Sequence, residues 1–454
     1  MPFRYGIVTM TELPYVFVRL RVEIAGKMVE GISADGLPPK WFTKDPLKPI
    51  GEEITEMLDV IRHALKAAVG LRGDTAFAVW EQLYSLQDAW GAARGLPSLL
   101  THFGTSLVER ALLEAVSRAA GKPFAEMLRA GELGLDLGKI HPALARDSVA
   151  ELLPEKPLAR LLARHTVGLT DPLTDDEIPA ADRLNDGLPQ SLVACIRRYG
   201  LRHFKVKLNG DVACDLERLR RIATVLREHA GAGFAFSLDG NEQFKSLPDF
   251  QRFWEELLRE DLLREFLARL LFVEQPLHRN VALQVEVGAA FTAWPDRPPI
   301  IIDESDGALD SLPTALGLGY SGTSHKNCKG IFKGVANRCL LRLREREQPR
   351  AAVLMSGEDL CNTGPVALLQ DLAVMAALGI ESVERNGHHY HPGLSQFPRG
   401  IQEEMLRCHG DLYERAAAGW PTLRVREGMI DLGTVNAAAL GVGFAVDVGQ
   451  FAGV

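Results

Sequence analysis

Apolar and polar positions change rhythm several times along the chain, and each change predicts a different kind of element. Residues 5–10 and 15–24 are rich in β-branched and aromatic types, and Ala25-Gly26-Lys27 offers a turn before 28–32, so the chain opens with predicted hairpins. The stretch 33–50 interrupts this with Gly and Pro yet holds Trp41 and Phe42, and a loop with two large aromatics has something to cover. From 52 to 128 the apolar spacing turns helical: Ile54, Leu58, Ile61 and Leu65, then Phe77 and Leu83, then Leu107, Leu112 and Val116.

Beyond Leu158 short apolar runs alternate with helical segments. The strand-like runs fall at 160–169, 203–208, 233–238, 270–274, 299–303, 322–326, 351–355 and 380–384. Helical patterns separate them at 189–199, 212–229, 248–268, 281–290, 312–316, 330–346 and 364–378. This alternation predicts the α/β class and a modified TIM (β/α) barrel with an N-terminal α+β capping domain. A doubly wound sheet shares the alternation. The expected division is a cap over 1–157, a barrel over 158–400, and a segment 401–454. That last segment carries short strands at 422–426 and 429–432 and is expected to pack back on the cap.

Bulk properties narrow the partners. At 454 residues the chain exceeds what one core usually serves, which agrees with two domains. A net charge of -8 argues against nucleic acid, whose phosphates need a basic face. No apolar run is long and charge-free enough for a bilayer, so no membrane partner is expected. The first ten residues carry Arg4 and no apolar run with a small-residue cleavage site, so no signal peptide is expected. Six scattered cysteines with no C-x-x-C pair suit reduced thiols and a cytoplasmic location.

The informative polar residues stand where the predicted strands end, the rim at which barrels of this kind place their chemistry. His203-Phe204-Lys205-Val206-Lys207 finishes one strand with two lysines on the same face. Side by side, two ammonium groups repel, which predicts a lowered pKa for at least one and suits a lysine base. The next strands end in Asp239 (with Asn241 two positions on), Glu274 and Asp303, each about 30 residues after the last, one strand–helix unit apart. Consecutive parallel strands bring these three acids together. Three converging carboxylates without arginines are satisfied by a hard cation with oxygen ligands, and Mg²⁺ fits because it keeps open positions for water or substrate. The strand after that ends in Lys326, on the opposite side of the barrel mouth from Lys205 and Lys207.

Taken together, Lys205-x-Lys207, Asp239-x-Asn241, Glu274, Asp303-Glu304-Ser305 and Lys326 resemble the enolase superfamily, and within it the muconate-lactonising subgroup of the mandelate racemase/muconate lactonising enzymes. Segments 108–128, 354–358 and 423–447 look like that family's cap helix, seventh strand and closing segment. The resemblance implies Mg²⁺ on Asp239, Glu274 and Asp303, and removal of the proton alpha to the carboxylate of a small substrate. Lys207 and Lys326 are the acid/base pair it implies, with Lys205 holding the substrate oxygen and Asn241 and Glu304 orienting their neighbours. By the same analogy 33–50 is a specificity loop, Trp41 and Phe42 touch substrate, and a homo-oligomer is expected. Glu358 is read equally as a substrate contact or a structural hydrogen-bonding group.

The resemblance implies racemisation, epimerisation or cycloisomerisation, with syn-elimination by a lyase as the alternative. A Schiff-base aldolase is a rival from another class, but it needs no carboxylate cage. Two departures bear on the reaction. The region after the seventh strand reads Met355-Ser356-Gly357-Glu358, without the histidine common in sugar-acid dehydratases. The eighth strand reads Ser382-Val383-Glu384 rather than the D-x-D of dipeptide epimerases. His388, His389 and His391 read as a surface loop, and the polar stretch 170–188 has no assigned role.

Overall fold

The structure is a computed structural model describing residues 1–385 and 387–453, with the backbone alone for Gly387 and His388. The cap begins with two hairpins. The run 5–10, read as one strand, is a tight pair, β1 (Phe3–Tyr5) and β2 (Val8–Met10), with Gly6 at positive φ in the turn. β3 (Tyr15–Ile24) and β4 (Lys27–Gly36) then pair over their whole length. Ala25 and Gly26, both at positive φ, make the two-residue turn whose twist matches the flanking strands. β4 runs on to Gly36, so the loop covering the barrel begins later than its composition suggests.

Helices α1 (Ile50–Ala68), α2 (Ala76–Ala92) and α3 (Ser98–Ala120) follow. Almost every residue of α3 from Leu99 to Ala115 is buried, because it lies between β3–β4, α1, α2 and the barrel. Glycines permit the closest approaches. A Cβ on Gly31 of β4 would stand 1.9 Å from the Ala111 carbonyl oxygen of α3, and one on Gly104 of α3 would stand 2.2 Å from that of Val60 in α1.

The barrel comprises eight parallel strands among the described residues: β5 (Arg160–Val167), β6 (His203–Lys207), β7 (Ala235–Asp239), β8 (Leu270–Glu274), β9 (Ile300–Ile302), β10 (Gly322–His325), β11 (Leu354–Gly357) and β12 (Ser382–Glu384). Each bonds to the next, and β12 closes on β5. A doubly wound sheet is thereby excluded. The register sets Lys207 beside Asp239 and Asp239 beside Glu274, so these three stand in one layer at the C-terminal rim. β6 and β10 are four strands apart in the closed ring and therefore face each other across the mouth.

Some boundaries differ from the expectation. The helix expected at 248–268 is two, Leu247–Leu258 and Asp261–Leu267, and that at 281–290 is also two, Arg279–Ala282 and Val285–Ala293. The strand expected at 351–355 is β11, shifted so that Glu358 follows it immediately. In the tail, β13 (Tyr413–Arg415), absent from the expected elements, pairs with β14 (Pro421–Leu423). β15 (Met429–Asp431) runs antiparallel to the first residues of β5 and so joins the barrel. The residues beyond it reach the cap: the Phe124 amide donates to the Ala439 carbonyl at 2.6 Å, and the Phe451 ring stacks on Phe17 at 4.6 Å. The polar stretch 170–188 is exposed from 179 to 185 but buries Asp171, Leu173 and Ile178; it holds two short 3-10 turns and is pinned where Ser191 Oγ donates to Asp175 at 2.6 Å.

Candidate active site

Alternation along β6 turns Lys205 and Lys207 inward, and both amines are buried. Lys207 Nζ donates to Asp239 Oδ2 at 2.6 Å. Lys205 Nζ reaches four carboxylates, at 3.0 Å from Asp239, 2.8 Å from Glu274, 2.9 Å from Glu358 and 3.1 Å from Glu384. From the facing strand Lys326 Nζ lies 2.6 Å from Asp303 Oδ1 and 2.8 Å from Glu358 Oε2. The two walls thus meet on one oxygen of Glu358. Its other oxygen accepts from Arg164 at 3.0 Å and Ser356 Oγ at 2.7 Å, which fixes the carboxylate from behind.

The electrostatics differ from the sequence expectation in one respect. Neighbouring amines were expected to depress a lysine pKa, but acids interleave between them. Burial opposes the Lys205 charge, yet Asp239, Glu274, Glu358 and Glu384 together hold its pKa well above the ordinary value. Burial opposes Lys326 likewise, and Asp303 and Glu358 overcome it in the same direction. Glu358, although desolvated, is held well below the usual carboxylate range by Lys205 and Lys326. Glu274 goes the other way, raised by burial and by the crowding of Asp239 and Glu358.

Ligand atoms of Glu274, Asp303 and Glu358 lie within 4.8 Å of one another, and all three residues are buried. This buried acidic trio can hold a metal ion. It differs from the expected trio in one member, with Glu358 in the place of Asp239; lysines engage all four carboxylates. Asn241 caps Asp239, its backbone N–H donating to Oδ1 at 2.9 Å, and its buried side-chain oxygen has no hydrogen bond among the described residues. Glu304 is buried beside Asp303 and Glu242, and burial followed by that crowding raises its pKa to about 8.

The covering loop splits the two aromatics. Trp41 lines the cavity with its ring 5.2 Å from Lys326 Nζ, within reach of a cation–π contact. Phe42 is not among its lining residues; the ring turns into the cap core against Phe103 at 4.4 Å. The loop is tied down by Arg279, which donates to the Trp41 and Phe42 carbonyls, each at 2.9 Å, and forks onto Glu242 at 2.8 Å.

Sequence reasoning missed several residues of the site. Glu384 ends β12 and so obeyed the strand-end rule that found the others; it binds Lys205, and its second oxygen accepts from Thr166 at 2.6 Å. Lys329, one helical turn past Lys326, holds Asp303 through both its carboxylate and its carbonyl at 2.8 Å. Arg164 lies within β5, before the strand end, and only the fold brings it under Glu358. The side chain of His388 lies outside the described residues. His389 is buried rather than on a surface loop, with its ring 4.3 Å from that of His165.

No protein-family model matches the chain, and no curated protein matches it in sequence. Solved structures do match. An isomerase from Streptomyces coelicolor A3(2) is 17% identical over 99% of this chain and 94% of its own, with a TM-score of 0.58. The dipeptide epimerase from Enterococcus faecalis V583, solved with Mg and the dipeptide L-Leu-L-Tyr, is 15% identical over 98% and 95%, with a TM-score of 0.59. A mandelate racemase/muconate lactonizing enzyme from Bordetella bronchiseptica RB50 is 15% identical over 96% and 97%, with a TM-score of 0.57. Along nearly its whole length, then, this chain has the capped-barrel fold shared by mandelate racemase/muconate lactonizing enzymes and dipeptide epimerases.

Proposed function

We propose that the chain is a metal-dependent enzyme of the enolase superfamily that removes the proton alpha to the carboxylate of a small acid. The observation that carries this reading is a lysine from each of two facing strands, Lys207 on β6 and just past β10 Lys326, bound to one buried cluster of acids. A substrate carboxylate seated among those acids needs a cation. The donor set fits one: oxygens of Glu274, Asp303 and Glu358 lie close enough to share it, and all are hard donors. When bound, Mg²⁺ would take up the negative charge that develops on the substrate carboxylate.

The protein's own residues supply the rest. Lys207 and Lys326 flank the alpha carbon from opposite walls, one to remove a proton and the other to return it, and a cation on the acids would relieve the charge that keeps Lys326 protonated. Lys205 holds together four carboxylates that would otherwise repel one another. Glu358 positions Lys205 and Lys326, and Arg164 and Ser356 keep it in place. Trp41 covers Lys326 and limits water. Opposed amines suit racemisation or epimerisation most directly, and cycloisomerisation or syn-elimination uses the same first step.

The test is exchange of the alpha proton in D₂O with Mg²⁺ present. Lys207→Ala and Lys326→Ala are each expected to slow exchange by roughly a hundredfold or more, with unchanged circular dichroism. Full exchange in either variant would remove that lysine from the acid/base pair.

A further inference from the structure

We infer that the substrate is a monocarboxylic acid with an apolar side chain, received against the N-terminal hairpin β1–β2. This deepens the reading just given and rests on it. The hairpin has the alternation of a half-buried ribbon: Phe3, Tyr5, Val8 and Met10 face inward, while Arg4, Ile7 and Thr9 face out. Its inner face does not join the main core. Among the described residues it packs in a cluster with Cys361 and Tyr390, edged by Met1 and Leu13, and Phe3, Tyr5 and Met10 line the cavity above the lysines. An apolar face over a polar site is costly unless something apolar fills the gap.

The cavity is two-sided. Its floor is the lysines and acids of the strand ends, with Asn241 among them. The opposite wall is Phe3, Tyr5, Met10, Pro38, Trp41 and Leu360. That wall offers little to a polar substituent: the Tyr5 hydroxyl is already spent, donating to the Pro39 carbonyl at 2.8 Å. It offers nothing to a second anion. Among the described lining residues the cations are Lys205, Lys207 and Lys326, and each is within 2.8 Å of a carboxylate. Asp359, the lining acid beside Leu360, is paired with Arg385 at 3.0 Å, so that cation is engaged too.

The wall is also held in place. The Met1 ammonium donates to the Tyr390 carbonyl at 2.9 Å, Phe3 stacks on Tyr390 at 4.2 Å, and Tyr5 grips the covering loop at Pro39. A wall anchored on both sides of the mouth selects by shape and by polarity together.

The experiment compares phenyllactate, malate and gluconate, three hydroxy acids with the same alpha carbon and different side chains. With the full chain and Mg²⁺, phenyllactate is expected to exchange its alpha proton with kcat/KM at least about tenfold above the other two. Phe3→Ala and Met10→Ala are expected to raise KM for phenyllactate several-fold, by more than they lower kcat. Faster exchange of malate or gluconate overturns the inference. Should none of the three exchange, the acid/base reading falls, and calorimetric binding of the same acids judges the wall separately. Phenyllactate at least tenfold tighter, and weakened in Phe3→Ala, upholds it; equal affinity for all three overturns it.

Discussion

Glu358 illustrates what one residue does in this site and why the sequence could not rank it. Its position just past a strand end marked it, but its partners, Lys205, Lys326, Arg164 and Ser356, come from four strands or strand ends. The lysines and acids themselves were legible, because spacing of one strand–helix unit places them at one rim. Their charge states were not. Repulsion between Lys205 and Lys207 is a local argument, and the acids that reverse it lie on other strands. His409 shows the same limit away from the site. Its Nε2 accepts from the Gly443 amide at 3.0 Å, so its Nδ1 carries the proton toward Thr434 Oγ1 at 2.9 Å. Burial lowers its pKa to about 4. A folded pKa below the ordinary 6.5 means that this stabilisation is complete above pH 6.5 and is lost as pH falls through about 4. His409→Ala is therefore expected to cost about 1–3 kcal/mol at pH 7.5. In urea titrations that gap should narrow steadily toward pH 4; a constant gap would contradict the neutral assignment.

Elements were read best where pattern and length agree. The helix Val212–His229 and strand β8 fall where the apolar spacing puts them. The breaks at Arg259-Glu260 and Leu283-Gln284 carry neither Gly nor Pro, so nothing local announces them. The hairpin β1–β2 was legible as strand, but its place over the barrel mouth is a tertiary fact. Helix α3 brings a sharper consequence. Pressed from two sides, it depends on hydrogen atoms where other residues carry a methyl group. Gly104→Ala puts a carbon 2.2 Å from a backbone oxygen of α1, which cannot retreat without moving the helix. A loss of about 1–3 kcal/mol is expected, read as a lower thermal midpoint. An unchanged midpoint would mean that α1 and α3 are packed more loosely than described.

At the scale of the molecule, the division into cap and barrel describes architecture better than energetics. One continuous apolar cluster runs from Ile32, Phe77, Trp80 and Leu113 of the cap to Phe332, Val335 and Leu369 of the barrel. Polar ties cross the same seam: Glu109 of α3 accepts the Ile331 and Phe332 amides at 2.9 and 2.7 Å, closing the start of a barrel helix. Cap and barrel are therefore expected to unfold together. Circular dichroism and tryptophan fluorescence should trace one coincident urea transition, and two separated midpoints would refute a shared core. The seam was invisible in the sequence because each side of it reads as an ordinary apolar helix face.

Arg279 adds a last consequence. One guanidinium clasps two successive carbonyls of the covering loop and a carboxylate of the barrel, all beneath the surface. The clasp fixes the Trp41 backbone, and with it the point from which the indole reaches over Lys326. A side chain standing outside the chamber thus sets where its aromatic wall stands, as a peg sets a hanging.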